Sequence, residues 1–162
     1  VCIPAESAAS PRLFVDADAC PVVPQCLRIA AEYAVPVLLV CDDAHQMQRP
    51  GAQTLTVLRG ADSADLALVN RLQPGDVVVT QDYGLAALCL ARRARVLHQD
   101  GHEYTADNID GLLLRRHEGR KLRRAGGRTR GPARRTPAQD AAFEALLRQV
   151  LAACNPRSSV VK

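Results

Sequence analysis

The chain contains no tryptophan, only five Phe and Tyr residues and a single methionine among its 162 residues. So few aromatic rings leave little on which bases could stack, which argues against single-strand recognition by stacking. No apolar run approaches the ~20 residues that cross a bilayer, so no membrane association is expected. The six cysteines include no C-x-x-C pair, and residues 1–11 have neither a basic n-region nor an apolar h-region. Reduced thiols and a cytoplasmic location are expected, rather than a disulfide framework. Cys26, Cys41 and Cys89 read as small core residues. Cys20 and Cys26 flank the start of the first helix, and their spacing gives little support for a metal site.

What is present is one domain's worth of alternating apolar runs and helical stretches. Residues 1–11 read as a disordered lead-in, 12–154 as a single α/β domain and 155–162 as a flexible tail. The net charge of +4 hides an asymmetry. Residues 1–114 carry 8 Lys+Arg against 14 Asp+Glu, a net of −6. Residues 115–135 carry 10 against one, a net of +9, and the remainder adds +1. An acidic body followed by a basic segment suits a polyphosphate partner on one side and cations on the other.

An apolar run within Arg12–Pro21 that ends in Asp16 and Asp18, and short apolar runs at Val37–Val40, Thr54–Leu58, Val77–Thr80 and Arg95–Leu97, predict strands. Helices are expected over Val22–Ala34, from Gly60 to about Leu72, and over Leu85–Ala91, with Pro21 suited to a first turn. Strand–helix alternation predicts a three-layer, mostly parallel sheet with helices on both faces. Asp42 to Gly51 reads as a loop. Thr105 is placed to cap a helix through Ile109 and Leu112–Leu114. His98 and His102 rank below the aspartates as metal or proton-transfer groups. Gly126-Gly127 and Gly131-Pro132 break the basic segment and make its end a loop. Pro137–Leu151 predicts an amphipathic helix with Phe143, Leu146, Leu147 and Val150 on one side, packed on the body or on a second subunit of a homo-oligomer.

Three acidic constellations stand out. Asp16 and Asp18 follow the first strand and share a face if it continues extended. Asp62 and Asp65 lie one helical turn apart. Asp82 follows the fourth strand, after Thr80. Each has a structural explanation as a turn or helix cap. Together, at strand ends that a parallel sheet brings into one crevice, they would repel one another. A divalent cation relieves such repulsion, and all-oxygen ligands suit Mg²⁺ or Mn²⁺.

The segments VDADACP (Val15–Pro21), GADSAD (Gly60–Asp65), GDVVVTQDYGLA (Gly75–Ala86), GHEYTADNI (Gly101–Ile109) and RRAGGRTRGP (Arg123–Pro132) resemble the bacterial YaiI/YqxD family from about Leu13 to Leu151. That family brings no established activity with it. A more distant similarity, to PIN-like nucleases, implies a PIN-like fold and a metal-dependent nuclease or phosphodiesterase acting on RNA. Under it Asp16, Asp65 and Asp82 would be catalytic metal ligands, Asp18 and Asp62 further ligands, and Thr80 a supporting residue. The basic residues Arg120, Lys121, Arg123, Arg124, Arg128 and Arg130 would hold the nucleic-acid backbone. Asp18 is an extra acid relative to that pattern, Cys20-Pro21 is not part of it, and its fourth acid has only Asp100 as a weak counterpart. Two alternatives stay open. One is a haloacid-dehalogenase-type phosphatase with Asp16 as nucleophile and Asp18 as acid/base. The other is a non-catalytic nucleic-acid-binding protein whose aspartates are caps.

Overall fold

The computed structural model describes residues 10–18, 20–42, 48–57, 63–127 and 133–154. Asp62, Arg128, Arg130, residues 1–9 of the expected lead-in and the expected tail lie outside the described residues. The elements run β1 (Leu13–Asp16), α1 (Val23–Glu32), β2 (Val37–Asp42), β3 (Ala52–Val57), α2 (Ser63–Val69) and β4 (Val77–Val79). Then come α3 (Tyr83–Ala91), β5 (Arg95–His98), β6 (His102–Tyr104), α4 (Ala106–Arg124) and α5 (Pro137–Cys154).

The strands form one six-stranded sheet in the order β3-β2-β1-β4-β5-β6. All neighbours pair in parallel except β5 and β6. Side chains alternate across a strand, so the continuous apolar runs serve two cores. Leu13, Val15, Leu39, Val77, Val79 and Leu97 meet Ile29 of α1 and Phe143 and Leu147 of α5. Phe14, Val40, Val78 and Val96 meet Leu68 of α2, Leu85 of α3 and Ile109 of α4. Helices on both faces make the domain a three-layer α/β structure. Cys26, Cys41 and Cys89 are buried in these cores, as expected of small apolar residues.

Parallel β1 and β4 are far apart in sequence, and a half-exposed arginine paired with a buried carboxylate fixes their relative position. Asp76 is only 3 % exposed. Its carboxylate accepts the Arg12 backbone N–H at 3.1 Å, the Arg12 guanidinium at 2.6 Å and the Gln73 N–H at 2.8 Å. Arg12 and Asp76 immediately precede β1 and β4, and the Val77 N–H donates to the Arg12 carbonyl. The register Leu13↔Val77 is thereby set at the N-terminal end, which aligns the acidic C-terminal ends.

Two features differ from the sequence reading. β6 lies in the polar stretch after Gly101, which shows no strand periodicity. Three residues are too few to show a period of two, and the pairing follows from a tight turn. Gly101 has φ +89°, and a Cβ there would sit 2.6 Å from the Ala142 backbone, so only glycine fits beneath α5. The second difference is that α4 runs ten residues past Leu114 to Arg124, so the first half of the basic segment is helical. It stops where the glycine pair predicts a break. Gly126 has φ +84°, and the N–H groups of Gly126 and Gly127 return to the carbonyls of Arg123 and Leu122, a Schellman closure.

Asp76→Ala would leave the Arg12 and Gln73 N–H groups unpaired. It is expected to cost about 3 kcal/mol, read as a lower urea midpoint at unchanged m-value; a loss below 0.5 kcal/mol would remove the pair's role in aligning β1 with β4.

Candidate functional site at the switch point of the sheet

β1 is followed by strands added on one side and β4 by strands added on the other. The C-terminal ends of β1 and β4 therefore flank the crevice where open α/β sheets place ligands. The ladder to β2 continues past β1, with the Ala17 N–H donating to the Val40 carbonyl at 2.8 Å. Asp16 lies on the Phe14 face, the one covered by α2, α3 and α4, and Asp18 follows in a turn closed by the Cys20 N–H on the Ala17 carbonyl. Ala17 points into the opposite core.

Thr80 joins the first acid to the third. Its hydroxyl is buried, donates to Asp16 Oδ2 at 2.8 Å and accepts the Asp82 N–H at 3.0 Å. The T-x-D spacing gives this contact because a threonine hydroxyl reaches the N–H two residues on. Asp82 is the N-cap of α3, where its Oδ1 accepts the N–H groups of Gly84 and Leu85 at 2.7 and 3.1 Å. The capping explanation is therefore correct for Asp82. Asp65 lies in the first turn of α2. Asp18 reaches towards β2 and accepts the Asp42 N–H at 3.1 Å.

Burial is the largest influence on Asp16. Thr80 lowers its pKa, the charges of Asp65, Asp18 and Asp82 raise it further, and it stands at about 6. Asp16 has no cationic partner among the described residues. Asp82 behaves in the opposite way. Burial works to raise its pKa, but the Arg116 guanidinium and the capping N–H groups outweigh it and hold it below the ordinary carboxylate value. Arg116 grips Asp82 with two parallel hydrogen bonds, each 3.0 Å. Near the crevice, burial pushes the Cys20 thiol up to about 11, so Cys20 is not a nucleophile at neutral pH.

Arg116 is the site residue that the sequence reading does not single out. Thr105 caps α4 in a reciprocal box with Asn108, and Ile109, Leu112 and Leu113 pack into the core beneath α3. Arg116 follows Leu112 and Leu113 at helical spacing and so lands on the same face. The i+3/i+4 continuation of that apolar stripe was the available signal. Of the predicted basic residues, Arg120 lines the groove beside Asp82. Lys121, Arg123 and Arg124 are exposed on the last turn of α4 and contribute a field rather than a contact. Asp100 is engaged elsewhere, paired with Arg135 at 2.8 Å. His98 and His102 stack on each other with centroids 4.4 Å apart.

The carboxylates supply only hard oxygen donors, which fit Mg²⁺ or Mn²⁺. Among the described residues, no three His, Cys, Asp or Glu side chains form a ready-made ion cage. A hollow of about 510 Å³ opens between α2, α3 and α4, bordered by Asp65, Asp82, Arg116 and Arg120. A slightly larger one, about 600 Å³, lies beside edge strand β3 and is lined by Gln48, Arg49, Pro50, Ala52 and Thr54. It is remote from the acids, so the smaller hollow is the one that bears on this chemistry.

The raised pKa makes Asp16 a source of pH dependence. A folded-state value above the reference of 3.8 means that the protonated carboxyl stabilises the fold fully below pH 3.8. That contribution is lost as the pH rises through about 6. Asp16→Asn mimics the protonated form. In metal-free protein at pH 7.5 it is expected to stabilise by up to about 3 kcal/mol, with no gain at pH 3.5. Thermal melts at the two pH values check this, and an equal difference at both would contradict it.

The profile of a family described as "Uncharacterized BCR, YaiI/YqxD family" matches residues 14–153. A UPF0178 protein of Exiguobacterium sibiricum is 54 % identical over 133 residues, 82 % of this chain and 91 % of the relative. UPF0178 proteins of Ruminiclostridium cellulolyticum and Clostridium acetobutylicum are 46 % and 44 % identical. Those matches cover 84 % and 86 % of this chain, and 89 % and 96 % of the relatives. No solved structure gives a significant match. No helix among the described residues is long and apolar enough to cross a membrane. With its sequence matched almost end to end across the crevice-bearing sheet and both flanking helical layers, the chain belongs to the YaiI/YqxD family.

Proposed function

We propose that the protein is a divalent-metal-dependent phosphodiesterase acting on nucleic acid, with RNA the expected substrate and a PIN-like arrangement of acids. The observation that carries this reading is Asp16. It is a largely buried carboxylate at the switch point, raised to about 6 by burial and by three neighbouring acids. Keeping such a group costs stability at neutral pH, and a cation would recover it. Mg²⁺ is commonly held by one or two carboxylates, waters and substrate phosphate oxygens rather than by an all-protein cage.

Asp16 would be the principal ligand, with Asp65 and Asp18 beside it. Asp62 remains a candidate outside the described residues. Thr80 orients Asp16 and ties its position to Asp82. A bound Mg²⁺ or Mn²⁺ would supply Lewis-acid stabilisation of the charge that builds on a phosphodiester. The chain's own residues would bind and orient. The Arg116 and Arg120 guanidinium groups suit phosphate, and Lys121, Arg123 and Arg124 extend a positive field along α4 that attracts the backbone. The phosphatase reading has less support, because Asp18 is held to the β2 backbone through the Asp42 N–H.

Calorimetry with Mn²⁺ and cleavage of an end-labelled RNA test the reading together. Wild type is expected to bind Mn²⁺ and to cleave. Asp16→Asn should lose Mn²⁺ binding and at least about a hundredfold in cleavage rate, the scale of losing a catalytic electrostatic group, while keeping its circular dichroism spectrum. Undiminished cleavage in Asp16→Asn would overturn the proposal. RNA binding with neither Mn²⁺ binding nor cleavage would favour a non-catalytic nucleic-acid-binding protein.

A further inference from the structure

We infer that the hollow between α2, α3 and α4 is a nucleotide subsite, at which Arg116 exchanges the Asp82 carboxylate for a ligand phosphate while Arg120 joins it from the next turn. That the phosphate belongs to a nucleic acid rests on the hydrolase reading; the subsite and the exchange do not.

The hollow has two chemically distinct sides. Arg116 and Arg120 stand one helical turn apart on α4 and border the same space. Arg120 is exposed and makes no ion pair among the described residues. Two guanidinium forks at that spacing match the several acceptor oxygens of a phosphate. On the other side, Leu66 of α2 and Leu88 of α3 border the hollow and are 54 % and 47 % exposed. Two large aliphatic side chains left open beside two arginines in one concavity suit a ligand with an anionic end and a flat apolar body. A nucleotide has that chemistry. The Asp65 carboxylate also borders the hollow, so the phosphate is favoured at the Arg120 end.

The Asp82–Arg116 pair is built for exchange. Both partners are partly exposed, and a pair of this kind contributes little to stability. Asp82 keeps its two N–H donors from Gly84 and Leu85 when Arg116 leaves, so α3 remains capped. A phosphate brings more charge and more acceptor oxygens than a carboxylate. Its arrival would therefore take Arg116 from Asp82 and return the Asp82 charge to the crevice around Asp16. Ligand occupancy and the charge of the acidic cluster would then be coupled through one arginine.

The test uses the full chain in the presence of EDTA, with AMP and ribose 5-phosphate titrated by calorimetry and followed by amide chemical shifts. AMP is expected to bind and to shift α2, α3 and α4 resonances. Ribose 5-phosphate should bind several-fold more weakly because it lacks the base. Arg116→Gln and Arg120→Gln should each weaken AMP binding by about tenfold or more, the scale of a lost charged hydrogen-bonding partner. Asp82→Asn should strengthen AMP binding, because it frees Arg116 and removes a competing anion, while Asn serves as well as Asp at an N-cap. Arg120→Gln breaks no ion pair among the described residues, so its result stands even if Arg116→Gln fails to fold. No AMP binding, AMP binding unchanged in Arg120→Gln, or weaker binding in Asp82→Asn overturns the subsite. AMP binding in the expected pattern without RNA cleavage leaves the subsite standing and removes the hydrolase; cleavage without these AMP effects does the reverse.

Discussion

The pairing of β1 with β4 is the contact on which the acidic crevice depends. Asp16 ends one strand and Thr80 follows the other, and a single hydroxyl spans the gap at 2.8 Å. The same hydroxyl accepts the N–H of Asp82, so the start of α3 is fixed to the end of β1. The Arg12–Asp76 pair sets the register at the opposite end. The site thus inherits its precision from backbone pairing in the centre of a sheet, the stiffest part of such a fold, rather than from loops. The cost is a carboxylate that is largely buried among like charges.

Charge is divided between two elements that meet at one point. The acids sit at strand ends and first helical turns, where sheet topology and N–H donors hold them. The basic residues sit on α4, whose apolar stripe anchors it beneath α3 and whose later turns stand exposed. Arg116 is where the two meet. The net of +9 over residues 115–135 is therefore not a separate arm throughout. Its first half is a helix beginning beside the crevice, and this brings a positive field to the same edge of the sheet as the carboxylates.

Much of the architecture was legible because its signals are local. Apolar runs too short for helices marked five of the six strands, and the alternation of strand and helix implied the parallel sheet. Thr105 and Asp82 each cap a helix, as their types and positions suggest. β6 escaped because a three-residue antiparallel strand has no period to detect and owes its existence to a glycine turn packed under α5. The length of α4 escaped because its last turns bury little and carry like charges. It persists because the good helix formers Arg, Lys, Glu and Leu outweigh Gly119 up to the glycine closure.

For the candidate site, the sequence by itself determined the chemistry available: carboxylates after apolar runs, a threonine two residues before one of them, and a dense basic segment downstream. Residue type and short spacing are enough for that, since caps, T-x-D contacts and strand ends are decided within a few residues. Only the tertiary structure decided which groups meet. Arg116 pairs with Asp82 across 34 residues, Asp18 turns to β2 while Asp16 turns to β4, and Asp100 is taken up by Arg135. These partnerships depend on strand order and on the angle at which α4 crosses α3, both set by the packing of two cores that no local window of the sequence contains.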